Sequence, residues 1–347
     1  MEFTRESVFI STVRAFFKTF AVILGIGVAL TVVFMGLGSV SSVVKMPEKS
    51  ELTVSADANW SQELLPQNAP VILRINVTGV IGTGDMKTEK FKQVLIDSRT
   101  GVLAKDRVKG ILLCVNTPGG SAIDSSGIYN LIEKYKEKYK VPVYAFVDGL
   151  CASGGMYISS AADKIFATAD STIGSVGVRL GPTFNFSDAM EKVGISSLTL
   201  TEGKNKDALN PFRPRRPGEE NPLKAVIAGD YEQFIAAVVK GRPRLDKEKL
   251  VNEYGANIFI AQTAKEHGYI DEAGASYDET LTALVKQAGI DEKTRYQVIQ
   301  IEPYQSILRD IAQNNNTLFK GKLKHIFPTG AFTDTEMSGQ LLYLYQP

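Results

Sequence analysis

Apolar positions along the chain fall into three regimes. In the first, residues 19–44 carry no charge, and residues 20–37 (FAVILGIGVALTVVFMGL) are almost wholly apolar. About 20 such residues cross a bilayer as a helix. A cleaved leader is the alternative, because GLGSVSS supplies small residues for cleavage, but a leader's apolar region usually runs about 7–15 residues. The pattern therefore predicts a retained transmembrane anchor over 19–44. Arg5, Arg14 and Lys18 precede the span, and Lys45 and Lys49 follow it closely, so charge encodes orientation weakly. The expectation is a cytoplasmic N-terminus over 1–18 with the bulk of the chain outside. In the second regime, residues 45–70 are polar without a period and read as a linker.

The third regime is a folded domain over 71–290. In VILRINVTGVIG, Val71, Leu73, Ile75 and Val77 alternate with their neighbours, as in a strand. KFKQVLIDSRTGVLAKDRV has a helical pattern, GILLCVN the look of a buried strand, and SSGIYNLIEKYKEKYK an apolar face of Ile128, Leu131, Ile132 and Tyr135. VPVYAFV is a second buried strand. Strands alternating with helices across short turns predict right-handed βαβ units and an α/β fold. Beyond them, GMYISSAADKIFA reads as a helix running into a strand, STIGSVGV as a glycine-punctuated loop, SSLTL as β-like, and 222–290 as mostly helical. The remainder, 291–347, is mixed in pattern and is expected to form a helical C-terminal extension that closes on LLYLYQP, which reads either as completion of the fold or as a docking strand.

Composition narrows the classes. A length of 347 residues supports a sizeable core, and 39 basic against 38 acidic residues leave no field that would recruit nucleic acid. The proline-rich, charged PFRPRRPGEENP lacks interleaved aromatics and reads as a mobile rim loop. Cys114 and Cys151 are too few for a disulfide framework and lack metal spacing, so they read as small core residues, and no metal or cofactor is expected. His267 and His325 are the two histidines, and neither has flanks that single it out, so a histidine triad fits badly and both read as surface residues.

The candidate chemistry centres on VDGLCASGGMYISS. Ser153 lies between small residues, and a helix beginning just after it would aim the Gly154 amide and the helix dipole at the space beside its hydroxyl. A tight turn, or a plain N-cap role, accounts for the same stretch. NTPGGS follows a buried strand and offers Gly120 as a second backbone donor; alone, it is equally an ordinary strand-to-helix turn. In LTEGKNKDALNPF, Lys204 and Lys206 are each most simply solvated lysines. A lysine can act as a general base only if burial lowers its pKa from about 10.4 towards 7, a cost of roughly 4–5 kcal/mol.

NTPGGS, DGLCASGGMYISSAADKIFA, STIGSVGV, TEGKNKDALNPF and, more weakly, IFIAQTAKEHGYIDEAG occur in one order across about residues 71–279. That ordered set resembles the signal peptide peptidase SppA family, the S49 serine peptidases of the ClpP/crotonase-like fold. The resemblance implies a Ser–Lys dyad, with Ser153 as nucleophile and Lys206 as base, since Gly203, Lys206, Pro211 and Phe212 match the family setting and Lys204 does not. It also implies Ser175 as the hydroxyl orienting the lysine, with Gly120 and Gly154 as the oxyanion hole. Thr117 departs from the more usual serine, and Cys151 beside the nucleophile suggests sensitivity to thiol reagents. Single-copy members of the family assemble rings in which serine and lysine meet across a subunit boundary, so the expected partners are peptides such as spent signal peptides, a membrane, and further copies of this chain. The expected location is the inner membrane, with an extracytoplasmic catalytic domain. A crotonase-type acyl-CoA enzyme, or a scaffold with a peptidase-like fold and no turnover, are the alternatives.

Overall fold

The computed structural model describes residues 8–43, 51–302 and 342–344. The chain divides into two compact units, Met1–Lys49 and Ser50–Pro347. The first contains one helix, α1 (Val8–Val43), whose stretch Val13–Thr31 has a mean hydropathy of 1.8 and is long and apolar enough to cross a membrane. The helix starts ahead of the predicted span because Arg14 and Lys18 interrupt hydropathy while remaining good helix formers.

The second unit is built on a nine-stranded sheet. Its first strand, β1 (Glu51–Ser55), falls inside the region expected to be linker. It is short and polar because it is an edge strand, so half of it need not be apolar. From there the chain runs through β2 (Val71–Thr78), α2 (Thr88–Asp97), β3 (Val108–Thr117), the three-residue β4 (Gly119–Ser121), α3 (Ala122–Tyr139), β5 (Val143–Ala152), α4 (Gly154–Ser159) and β6 (Lys164–Ala167). These are the predicted βαβ units: β2, β3, β5 and β6 are parallel neighbours in that order. Next come β7 (Thr172–Gly174), α5 (Ser187–Lys192), α6 (Asn221–Gly241), α7 (Lys247–Lys249), β8 (Ile258–Ile260), α8 (Ala261–His267), β9 (Glu272–Ala273) and α9 (Tyr277–Gln287). The β-like SSLTL is not a strand, and STIGSVGV contains one where a loop was expected. In the C-terminal extension the described parts are strands rather than helices: β10 (Gln297–Glu302) joins the sheet between β1 and β2, and β11 (Leu342–Leu344) pairs with β4. Residues 303–341, and His325 with them, lie outside the described residues.

The central strands read as unbroken apolar runs because both faces are covered. Val71, Leu73, Ile111, Leu113, Val143 and Ala145 pack with Ile128 and Ile132 of α3, Met156 of α4 and Phe234 of α6. Ile72, Leu112, Tyr144 and Phe146 point the other way, onto Leu281 and Leu284 of α9. Each such aliphatic side chain removed from water contributes about 1.5–3 kcal/mol. This two-sided packing holds the carboxyl ends of β3 and β5 rigid, and the candidate residues project from those ends.

Candidate active site

Asn116, Thr117 and the two glycines after Pro118 build the first wall. At the end of β3 the Thr117 hydroxyl donates to the Gly79 carbonyl (2.5 Å) and accepts from the Gly119 amide (3.0 Å). Thr117 thus uses its hydroxyl to brace the turn that carries the two glycines. Gly120 bridges to Ile81 at φ 157°, and a Cβ there would lie 2.1 Å from the Ile81 carbonyl oxygen. The next residue, Ser121, is a true N-cap: its Oγ accepts from the Asp124 amide (3.3 Å) at the start of α3. On the other side of this short strand, β11 pairs antiparallel with it, Tyr343 opposite Gly120.

Ser153 sits one residue past β5 and behaves differently from Ser121. Its backbone lies at φ 55°, ψ −114°, and its side chain makes no capping bond to α4. Its Oγ is buried and has no hydrogen-bond partner. The simple N-cap reading therefore fails, since a cap serine adopts extended backbone and accepts from the first turn. A non-glycine residue in this region is strained, and such strain persists only where surrounding structure imposes it. Here the Ser153 amide donates to the Gly174 carbonyl (2.9 Å), and the Tyr157 amide donates to the Ser153 carbonyl (3.0 Å). Gly149 (φ 119°) and Gly155 allow the close approach: a Cβ on either would lie 2.8 and 2.6 Å from Asn116 and Thr117 side-chain atoms respectively. Asn116 Oδ1 also accepts from the Leu150 amide (3.2 Å), so the two glycine turns are tied to each other. Asn116 is a positioning residue that the sequence leaves unmarked, its place beside the PGG run being the available signal, and Thr117, noted there only for replacing a serine, is a second.

Because β7 runs parallel to β5 with Gly174 opposite Ala152, Ser175 emerges beside Ser153. It is buried, also at φ 55°, and its amide donates to the Asn257 carbonyl (2.7 Å). Gly154 is buried at the first position of α4, where helix geometry leaves its amide without an intrahelical acceptor. Ser153, Gly154, Gly120 and Ser175 thus converge at the carboxyl ends of the parallel strands. Lys206 does not join them within the chain: it is exposed, its amide donates to the Gly203 carbonyl (3.3 Å), and no hydrogen bond links it to Ser153.

Three readings of the surroundings are corrected by the packing. Cys151 is fully buried, 3.4 Å from the Ser159 hydroxyl, and burial pushes its thiol up to about 12, so a thiolate is scarce at neutral pH and sensitivity to thiol reagents is not expected of it. His267 is not a plain surface residue, since its ring stacks on Tyr254 (4.1 Å) and meets Phe259 edge-on (4.9 Å). PFRPRRPGEENP is bonded both internally and outward: Arg213 bonds Glu219 within the run and Asp207 ahead of it, and Arg215 donates to the Thr183 carbonyl (3.0 Å).

Comparison with known proteins places this arrangement. The model of peptidase family S49 matches residues 135–291, and that of Clp protease matches residues 72–173. The second match spans β2 to β7, and the fold is of the ClpP/crotonase-like α/β type. The chain is 32% identical over 228 residues to a protein named Putative signal peptide peptidase SppA from Enterococcus faecium, covering 64% of this chain and 65% of that one. It is 34% identical over 220 residues to one named Putative protease slr0021 from Synechocystis sp., covering 63% of this chain and 75% of that one. Among solved structures, ClpP1 from Listeria monocytogenes aligns at a TM-score of 0.40 and 16% identity, covering 60% of this chain and 94% of that one. With three quarters of a relative aligned at 34% identity, and the S49 model spanning α4, β7 and the Lys206 segment, the chain belongs to peptidase family S49.

Proposed function

We propose that this protein is a membrane-anchored serine peptidase in which Ser153 attacks the peptide carbonyl and Lys206 of a neighbouring copy is the general base. The observation that carries the reading is the Ser153 hydroxyl, held on a strained strand-to-helix turn and bonded to nothing. Neutral Lys206 takes the hydroxyl proton as the Oγ–carbon bond forms, and the Gly154 and Gly120 amides receive the negative charge of the tetrahedral oxygen. Lys206 returns the proton to the leaving amine, and water, deprotonated by the same lysine, releases the acyl group. Ser175 holds the amine in line.

Two features of one segment support pairing between copies. Lys206 is exposed in the single chain, and a lysine serves as a general base only where burial disfavours its charged form, which a partner's surface would supply. The same segment exposes Phe184 (65%), Phe212 (51%), Leu198 (83%) and Leu200 (84%), large apolar side chains that a neighbouring copy would cover. The glycine edge of β4 accepts an extended strand, as it accepts β11, which suits recognition of peptides through their backbone. Apolar segments, such as spent signal peptides at an inner membrane, are the substrate class, with α1 as the anchor and the catalytic unit on the extracytoplasmic side.

Full-length protein in detergent, as wild type, Ser153→Ala and Lys206→Ala, tests this. After sizing establishes equal assembly, each is followed for hydrolysis of an unstructured protein and a signal-peptide-like peptide, and for labelling by a fluorophosphonate. Wild type is expected to cleave and label, with each variant reduced on the order of a thousandfold or more. Undiminished activity in either variant removes that residue from the mechanism. No cleavage or labelling by any of the three leaves a scaffold as the better reading.

A further inference from the structure

Lys206 lies between two left-handed residues that are not glycine, Asn205 (φ 63°) and Leu209 (φ 59°). The local bonds across this turn are few: Lys206 to the Gly203 carbonyl (3.3 Å), Ala208 to Asn205 (3.0 Å) and Asn210 to Asp207 (3.1 Å). Asparagine tolerates this region, but a leucine holds it only when something around it imposes it. Arg213 does so. Its Nε donates to Asp207 Oδ2 (2.8 Å), and its Nη2 donates to both the Asp207 carbonyl (2.8 Å) and Glu219 Oε2 (2.6 Å). Glu219 is buried just ahead of α6, and α6 stacks its Phe234 on Tyr157 of α4 (4.9 Å). One guanidinium therefore connects the turn that carries Lys206 to the helix layer behind Ser153.

Charge gives the clasp a second consequence. Asp207 is the carboxylate next to Lys206 in sequence, and an unpaired carboxylate favours the charged form of an amine within about 4–6 Å. Both of its oxygens are taken: Oδ2 by Arg213, and Oδ1 by Arg216 (2.5 Å). The bond from Arg213 is the main reason the Asp207 carboxyl lies below the usual range. Lys206 itself makes no ion pair among the described residues. The other ionisable groups on the segment are Glu202, Lys204, Arg215 and Glu220; Arg215 donates to the Thr183 carbonyl (3.0 Å), and Glu220 pairs with Lys224 (3.2 Å). The segment hydrogen-bonded to it, through Phe186 and Ser197, adds Asp188, Glu191 and Lys192.

We propose that Arg213 is the positioning residue of the general base: it fixes the turn that presents Lys206 and occupies the carboxylate that would otherwise keep Lys206 charged. The inference rests on Lys206 being that base.

The test uses full-length protein in detergent as wild type, Arg213→Ala, Arg213→Lys, Asp207→Asn and the Arg213→Ala/Asp207→Asn double variant, with Lys206→Ala alongside. Sizing checks assembly, and kcat, KM and fluorophosphonate labelling are followed against pH. Arg213→Ala is expected to lower kcat at least tenfold with KM little changed, and to move the lower limb of the pH–rate profile to higher pH. The double variant, lacking the freed carboxylate, is expected to bring the limb back to or below its wild-type position. Arg213→Lys, which keeps charge but loses the fork, should fall between wild type and Arg213→Ala. An unmoved limb in Arg213→Ala, or one that stays raised in the double variant, overturns the inference. Should Arg213→Ala fail to assemble, Asp207→Asn alone decides. Its limb should move to lower pH, because the arginines lose their counter-charge; no movement, or an upward one, overturns the inference. Lys206→Ala that cleaves and labels like wild type would instead overturn the reading of Lys206 as base, and this inference with it.

Discussion

Ser153 and Ser121 are both serines at the start of a helix, and they are expected to respond oppositely to mutation. The Ser121 hydroxyl accepts from the Asp124 amide, so its loss costs about 1 kcal/mol. The Ser153 hydroxyl is buried with no partner, so Ser153→Ala removes an unsatisfied polar group, and its thermal midpoint should equal or exceed that of wild type. Ser153→Gly should be more stable still, because glycine occupies φ 55° without strain. A midpoint lowered in Ser153→Ala by as much as in Ser121→Ala would mean that the hydroxyl is a cap after all.

Between β3 and α3, the element that decides the site is the three-residue β4. It fits because Gly120 lets the Ile81 backbone lie against it, where a Cβ would meet the carbonyl oxygen at 2.1 Å. Gly120→Ala must displace backbone rather than the end of a flexible side chain. A loss of about 1–3 kcal/mol is expected from the strained conformation, together with loss of fluorophosphonate labelling as the wall facing Ser153 shifts. Gly229 on α6 is the control, since nothing lies within 4 Å of its Cβ position, and there alanine should be neutral or stabilising. Equal behaviour of the two variants would remove Gly120 from the site. At this scale the pattern of apolar residues was a sound guide wherever an element is covered on both faces, as β3 and β5 are. It misled at β1 and β7, whose short or polar sequences become strands only because a neighbouring strand supplies their hydrogen bonds.

Across the whole molecule, Ser153 and Lys206 of one chain are not joined, and the proposed remedy is a neighbouring copy. In a head-to-tail ring of equal parts Ser153→Ala and Lys206→Ala subunits, about a quarter of the boundaries combine an intact serine with an intact lysine. Activity should therefore return to about a quarter of the wild-type level after subunit exchange. If exchange is demonstrated by sizing of tagged subunits and activity stays at the level of the single variants, the dyad does not form between copies.

The sequence by itself determined the apolar N-terminal helix, the βαβ order and the motifs that mark the family, because each is written in local periodicity or in contiguous residues. It also placed small residues around Ser153, but left a turn or cap role standing against a nucleophile's. Tertiary structure removed the cap: the parallel pairing of β5 with β7 sets the φ of Ser153 and brings Ser175 beside it, and the Asn116 and Thr117 side chains lock the facing glycine turn. The tie from Arg213 to Asp207 and Glu219 was likewise invisible in a charged, proline-rich run. Hydrogen bonds made by side chains leave no periodic trace, so only the folded chain reveals which of them meet.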